Sequence, residues 1–197
     1  MSNDSVLFIG DNSRWSELAS AYLTSLFPHT DTVLWDHGGK RPAFVDSWQG
    51  DRIFCFKADL ILTPDNLASA RKSAINFHPA IPTYRGIGGY DWVINDGGTE
   101  FGATAHHINA KIDAGPIIKV VRFPINAAEE TAEGLSERTA AYCLTLFYEI
   151  VGLLHDGADL PLSPEVWGPR LYTRAMLTRF RAGEGAPFAH ELSAVGS

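Results

Sequence analysis

The stretch from Asn76 to Asp113 holds the densest concentration of chemically competent side chains in this sequence. Asn76 and His78 stand two positions apart at the end of the run AINFH, so on a strand both point to one side. Thr104 and His106 share one face of a second run, and His107 faces the other way. Asp113 comes seven residues after His106, in the turn IDAGP. An amide, a histidine and a carboxylate together suit acyl transfer. The amide can donate to a carbonyl oxygen as negative charge develops there. Histidine exchanges a proton near neutrality, and a nearby carboxylate can hold and charge it. There is no GxSxG elbow, and neither Cys55 nor Cys143 lies near the cluster, so direct attack by an amine fits better than an acyl-enzyme.

Each residue alone has a plainer reading. A strand-end histidine is usually structural, Asn76 can brace a turn, and Asp113 can make an ordinary Asx turn. The combination, with a shaped loop between its members, favours catalysis. His78, His106 and Asp113 could instead be the ligands of a zinc hydrolase. Against that, no HExxH-like pair exists and the adjacent His106 and His107 put their rings on opposite faces, so no metal is expected. The GIGG segment and the first turn, GDNSRW, fit neither GxGxxG nor a GK[ST] phosphate loop.

The elements that must position these residues alternate. Val6 to Gly10 reads as a buried first strand, with Asn12 or Ser13 capping a helix whose apolar face is Trp15, Leu18, Ala19, Tyr22, Leu23 and Leu26. Further strands are expected at Thr32 to Trp35, Arg52 to Phe56 and Ala74 to Phe77, with a polar stretch from His37 to Gly50 and a helix from Asp65 to Arg71. Leu60 to Leu62 stays undecided. Pro79 to Gly89, rich in proline and glycine, is expected to be a loop, followed by a short helix at Tyr90 to Asn95. Phe101 to Ile108 and Ile117 to Ile125 read as a strand pair at one side of the sheet. Thr131 to His155 is the longest helical pattern, its face Leu135, Tyr142, Cys143, Leu146, Phe147, Ile150 and Leu154. A short helix is expected near Arg174 to Arg181, and the last dozen residues are expected to be loose. This order predicts an α/β fold, a mostly parallel open sheet with helices on both faces, in a single domain. Ligands then collect at the carboxyl ends of the strands, where Asn76 and His78 stand.

The 197 residues suffice for one such domain, and a formal charge of −7 argues against a nucleic-acid surface. No run approaches a membrane span, and no CxxC or signal-like start occurs. A cytoplasmic protein acting on small molecules, without nucleic acid or membrane, is expected; a homodimer is compatible.

The runs AINFHPAIPTYRGIGG and FGATAHHINAKIDAGPIIKV resemble the formyltransferase family that uses 10-formyltetrahydrofolate. That family acts on amino sugars, initiator tRNA and glycinamide ribonucleotide. Its hallmark is an Asn-x-His strand end, a Pro/Gly-rich loop and a later Asp, which here are Asn76, His78 and Asp113. The likeness covers about residues 52 to 125. It implies a Rossmann-like catalytic domain over residues 1–160 and a C-terminal extension over 161–197. It implies that His78 serves the proton transfers and stabilises the tetrahedral intermediate, Asn76 donates to the formyl oxygen, and Asp113 positions His78 and shuttles protons through water. It further implies Thr104, His106, Leu62 and Gly115 as folate contacts. Beside the site, Tyr84, Tyr90 and Trp92 offer either a stacking face for a base or sugar or the packing of a short helix, and with Arg85 and Gly86 they are the acceptor-side candidates. An initiator-tRNA enzyme would carry a basic second domain, which this acidic chain does not suggest. A glycinamide ribonucleotide enzyme would be expected to hold a phosphate in a Gly/Ser-rich first turn, from which GDNSRWSEL departs. The acceptor expected by elimination is the amino group of a nucleotide-linked sugar, with glycinamide ribonucleotide the alternative.

Overall fold

The computed structural model describes residues 3–184. In chain order its elements are β1 (Ser5–Gly10), α1 (Arg14–Leu26), β2 (His29–Leu34), α2 (Ala43–Ser47), β3 (Gly50–Phe56), α3 (Pro64–Ala68) and β4 (Ala70–His78). These are followed by β5 (Arg85–Gly86), α4 (Gly89–Asn95), β6 (Glu100–His107), β7 (Ile117–Pro124), α5 (Ala132–His155), β8 (Leu171–Tyr172) and α6 (Arg174–Arg181). Six strands form one sheet in the order β2-β1-β3-β4-β6-β7. The first four run parallel, and β6 and β7 add to one side as antiparallel strands. The expected α/β architecture, a mostly parallel open sheet covered by helices on both faces, is what the chain adopts.

Strand alternation divides the core. Val6, Phe8, Phe54, Phe56, Ile75 and Phe77 point to the face covered by α1 and α5. Leu7, Ile9, Ile53 and Cys55 point to the other, against Val45 of α2, Trp48, Leu60 and Leu62. Phe147 of α5 sits among four rings of the first face, its centroid 4.8 Å from Phe77 and 5.5 Å from Phe56. Because Phe77 is buried against α5, its neighbours Asn76 and His78 turn to the opposite face, at the carboxyl end of β4. A third cluster joins α4, β6 and the chain after residue 170: Trp92, Phe101, Tyr172 and Leu177 are buried in it.

Several local expectations shift. The second strand is His29–Leu34, about three residues earlier than Thr32 to Trp35, because it pairs with β1 from Ser5 onward. The stretch from His37 to Gly50 contains the short helix α2, which sinks Val45 into the core. The helix after Pro64 stops at Ala68, and Arg71 already belongs to β4. Leu60 to Leu62 is a loop whose two leucines are buried. Leu18 and Tyr142, placed on apolar faces by spacing, are exposed. Within the Pro79 to Gly89 loop, Arg85–Gly86 pairs in parallel with Leu171–Tyr172. The helix Arg174–Arg181 forms as expected, and the final dozen residues lie outside the described part. Among the described residues no helix is long and apolar enough to cross a membrane.

Candidate active site

The antiparallel register of β4 and β6 sets Asn76 opposite His106 and His78 opposite Thr104. No local sequence signal fixes that register, yet it decides which side chains meet. Asn76 Nδ2 lies 3.1 Å from His106 Nε2 and donates to Asp113 Oδ1 at 3.3 Å. His78 Nδ1 faces Asp113 Oδ2 at 3.4 Å, and His106 Nε2 faces Asp113 Oδ1 at 3.3 Å. Both oxygens of one carboxylate are therefore shared between two imidazoles. Asp113 also accepts the Gly86 N–H at 2.8 Å.

Backbone carbonyls assign protons to the rings. His78 Nε2 lies 2.9 Å from the Tyr84 carbonyl, which can only accept, so Nε2 carries hydrogen and Nδ1 is left to deal with Asp113. His106 Nδ1 meets the His107 carbonyl at 2.9 Å in the same way, leaving Nε2 to choose its partner. An unprotonated Nε2 accepts from Asn76; a protonated one donates to Asp113 and releases that amide hydrogen.

The carboxylate is held as firmly as the rings. Asp113 has φ +41°, a left-handed conformation that Asp tolerates better than most residues. The Arg85 guanidinium fixes this turn from outside, donating to the Asp113 carbonyl at 2.7 Å and the Ile112 carbonyl at 2.9 Å. Gly86, which caps the carboxylate, has φ +88°, and a Cβ there would stand 2.2 Å from the Tyr172 carbonyl oxygen. Burial by itself would raise the Asp113 acid. The charge of His78, the hydrogen bond and charge of His106 and the Gly86 amide outweigh it and hold the group well below its ordinary 3.8. Asp113 is thus expected to remain ionised from neutrality down to pH 3.8, with its own protonation step only below that value, as a carbon-13 titration of its carboxyl would record. The stability its charge contributes is complete above pH 3.8 and is lost as pH falls through the lower folded value.

The cluster opens into a cavity of about 650 Å³ at the carboxyl ends of β1, β3 and β4. Asn76, His78, His106, Asp113, Leu62, Gly86 and Tyr90 line it. Other sequence candidates stand elsewhere. Thr104 is fully buried and spends its hydroxyl on the Ala80 carbonyl, so it braces the loop and does not line this cavity. Gly115 packs against the His107 carbonyl and gives its own oxygen to Trp167. Tyr84 and Trp92 are core residues of the third cluster, their polar atoms bonded to Asp96 and the Ile87 carbonyl. Arg85 is the turn clamp described above. His106, assigned by resemblance to the folate, bonds Asn76 and Asp113 from the cavity wall.

The cavity also has walls that residue spacing did not indicate. Asp11 and Lys57 line it and pair at 3.1 Å. Both immediately follow strands, β1 and β3, so the rule that found His78 could have found them. Trp35 comes from the chain after β2. Among the described residues no set of three His, Cys, Asp or Glu side chains is arranged to hold a metal ion.

A family model described as formyl transferase matches residues 42–151. The fold is similar to that of a protein from Mycobacterium tuberculosis proposed to be a sugar N-formyltransferase, with TM-score 0.73, 20% identity, and coverage of 90% of this chain and 78% of that one. It is similar to the N-formyltransferase of Helicobacter canadensis solved with folinic acid and dTDP-3-aminofucose, with TM-score 0.69, 18% identity and coverage of 87% and 71%. A glycinamide ribonucleotide transformylase from Symbiobacterium toebii is similar at TM-score 0.63 and 16% identity, over 85% of this chain and 96% of that one.

Proposed function

Because the chain belongs to the formyl transferase family, we propose that it carries a formyl group from 10-formyltetrahydrofolate to a primary amine, the amino group of a nucleotide-linked sugar. The observation that carries this reading is the meeting of Asn76, His78 and Asp113 where two unlike cavity walls join. One wall is apolar: Trp35, Leu60, Leu62 and Ile108 belong to one packed cluster and suit the flat rings of a folate. The other, from Gly86 to Asp91 with Ser136, Tyr172 and Arg174, is more polar and suits the acceptor. A structure of similar fold holds folinic acid and dTDP-3-aminofucose together, which supports a two-ligand cavity.

In this reading the amine nitrogen attacks the formyl carbon, the bond from that carbon to the folate nitrogen breaks, and a proton passes from the amine to the departing nitrogen. Asn76 donates to the oxygen of the tetrahedral intermediate once its hydrogen is released from His106. His78, tethered at Nε2, trades a proton through Nδ1, the nitrogen that faces Asp113. Asp113 stays ionised and stabilises the charged ring.

The first turn favours the sugar acceptor over glycinamide ribonucleotide. Asp11 accepts from the Ser13 and Ser16 hydroxyls and pairs with Lys57. Donors that would hold a phosphate at the start of α1 therefore already hold a carboxylate.

Purified protein mixed with 10-formyltetrahydrofolate and a panel of amino-sugar nucleotides and glycinamide ribonucleotide is expected to release tetrahydrofolate with an amino-sugar nucleotide. Release with glycinamide ribonucleotide alone would reassign the acceptor. No release with any amine, and no folate binding by calorimetry, would reject formyl transfer.

A further inference from the structure

We propose that Trp167 is a positioning residue for the transfer, holding the His78 and His106 rings in the orientation in which both meet Asp113. The indole is not among the residues that line the cavity, yet it meets both rings. Its ring centroid lies 4.8 Å from that of His106 at 85° and 6.0 Å from that of His78 at 62°. Both are edge-to-face contacts, the arrangement that aromatic quadrupoles favour. The indole N–H donates to the Gly115 carbonyl at 2.7 Å, two residues beyond Asp113. One side chain thus touches both imidazoles and the turn that carries their shared carboxylate.

The chain around Trp167 is anchored to the same parts. Gly168 N–H donates to the Pro82 carbonyl at 3.0 Å, and the Gly168 carbonyl accepts from Arg85 at 3.3 Å. A few residues on, β8 pairs with β5, and Gly86 of β5 is the residue whose N–H caps Asp113. Orientation matters because an imidazole ring turned by 180° exchanges nitrogen for carbon. In His106 such a turn would set a carbon against Asp113 and Asn76, and in His78 it would do so against Asp113. Apart from its contacts within the cluster, each ring has one backbone carbonyl as tether, a single neutral hydrogen bond of modest net strength. The indole edge adds the steric barrier that the tether lacks.

The role rests on the reading of His78 and Asp113 as the proton-transfer pair, so the test has a readout that does not need turnover. Trp167→Ala and Trp167→Phe are compared with the wild type by kinetics with 10-formyltetrahydrofolate, by melting, and by nitrogen-15 spectra of the histidine rings. Trp167→Ala is expected to lower kcat on the order of tenfold to a hundredfold with KM for the folate unchanged, to alter the pH–rate profile, and to move the His78 and His106 nitrogen signals. Trp167→Phe, which keeps a ring edge, is expected to recover most of kcat and the wild-type signals. Wild-type kcat and unmoved histidine signals in Trp167→Ala would overturn the proposal. So would a loss of kcat shared equally by both variants and matched by loss of folded protein. A wild type that turns over no amine and binds no folate would reject formyl transfer instead, and the ring signals would still decide what Trp167 does.

Discussion

Asp113→Asn is expected to remain folded and to lose turnover by a factor of about 10³, the span usually supplied by general acid–base chemistry. Asparagine keeps the volume, tolerates the left-handed backbone at φ +41°, and can still accept the Gly86 N–H through its amide oxygen. What it removes is the negative charge between two imidazoles that approach it at 3.4 and 3.3 Å. Its amide nitrogen must also face one of them, donor toward donor whenever that ring is protonated. The melting temperature should fall by the charge's lost contribution to stability, with the protein still folded at assay temperature, while kcat collapses. His78→Ala should lose at least as much, because no other ring in the cavity has its free nitrogen facing Asp113 Oδ2. Measured kcat and KM, with circular dichroism as the control for folding, decide the matter. Wild-type turnover in either variant would place the chemistry elsewhere.

The residues of this cluster differ in how far sequence alone could place them. Asn76 and His78 were legible because two-residue spacing on a strand is a rigid rule, and because the buried run before them identifies the strand. Asp113 was legible only through a motif. Nothing in IDAGP states that its carboxylate would be split between two histidines, which depends on the β4–β6 register. Thr104 and His106 have the same alternation and the same strand, yet one reaches the cavity and the other is sealed beneath Ala80. That difference is set by the Pro79 to Gly89 loop folding back, a tertiary event. Arg85, an attractive substrate contact by type and position, is consumed by three backbone carbonyls. Trp167 was not singled out, since its partners Gly115, His106 and His78 lie about 50 to 90 positions earlier. The α/β class with a mostly parallel sheet followed from alternation of elements; the strand order did not, nor did α2, because a five-residue helix carries too little periodicity.

Gly115→Ala is expected to damage both stability and turnover, and for one geometric reason. A Cβ at this position would lie 1.8 Å from the His107 carbonyl oxygen and 2.8 Å from its carbon, distances no relaxation of side chains can relieve. The backbone must separate where His107 N–H donates to the Pro116 carbonyl at 2.9 Å, the bond that closes the β6–β7 connection. That connection carries Asp113. The displaced His107 carbonyl is also the tether of His106 Nδ1, and the Gly115 carbonyl is the acceptor of Trp167. One methyl group therefore disturbs the carboxylate, one imidazole and the indole together. Overpacking of this kind costs about 3 kcal/mol, and in a domain of this size it lowers the melting temperature by roughly 10 °C. The fraction that remains folded should still turn over on the order of a hundredfold more slowly, because an ångström of misplacement at reacting groups has that effect. Gly97→Ala separates the two contributions. Gly97 has φ +66° and no heavy atom within 4 Å of the added carbon, so the change costs only about 1 kcal/mol of backbone strain, at a residue that does not line the cavity. It should lower the melting temperature slightly and leave kcat at the wild-type value. If Gly115→Ala instead melted and turned over like the wild type, the close approach of Gly115 to His107 would not be what holds Asp113 in place.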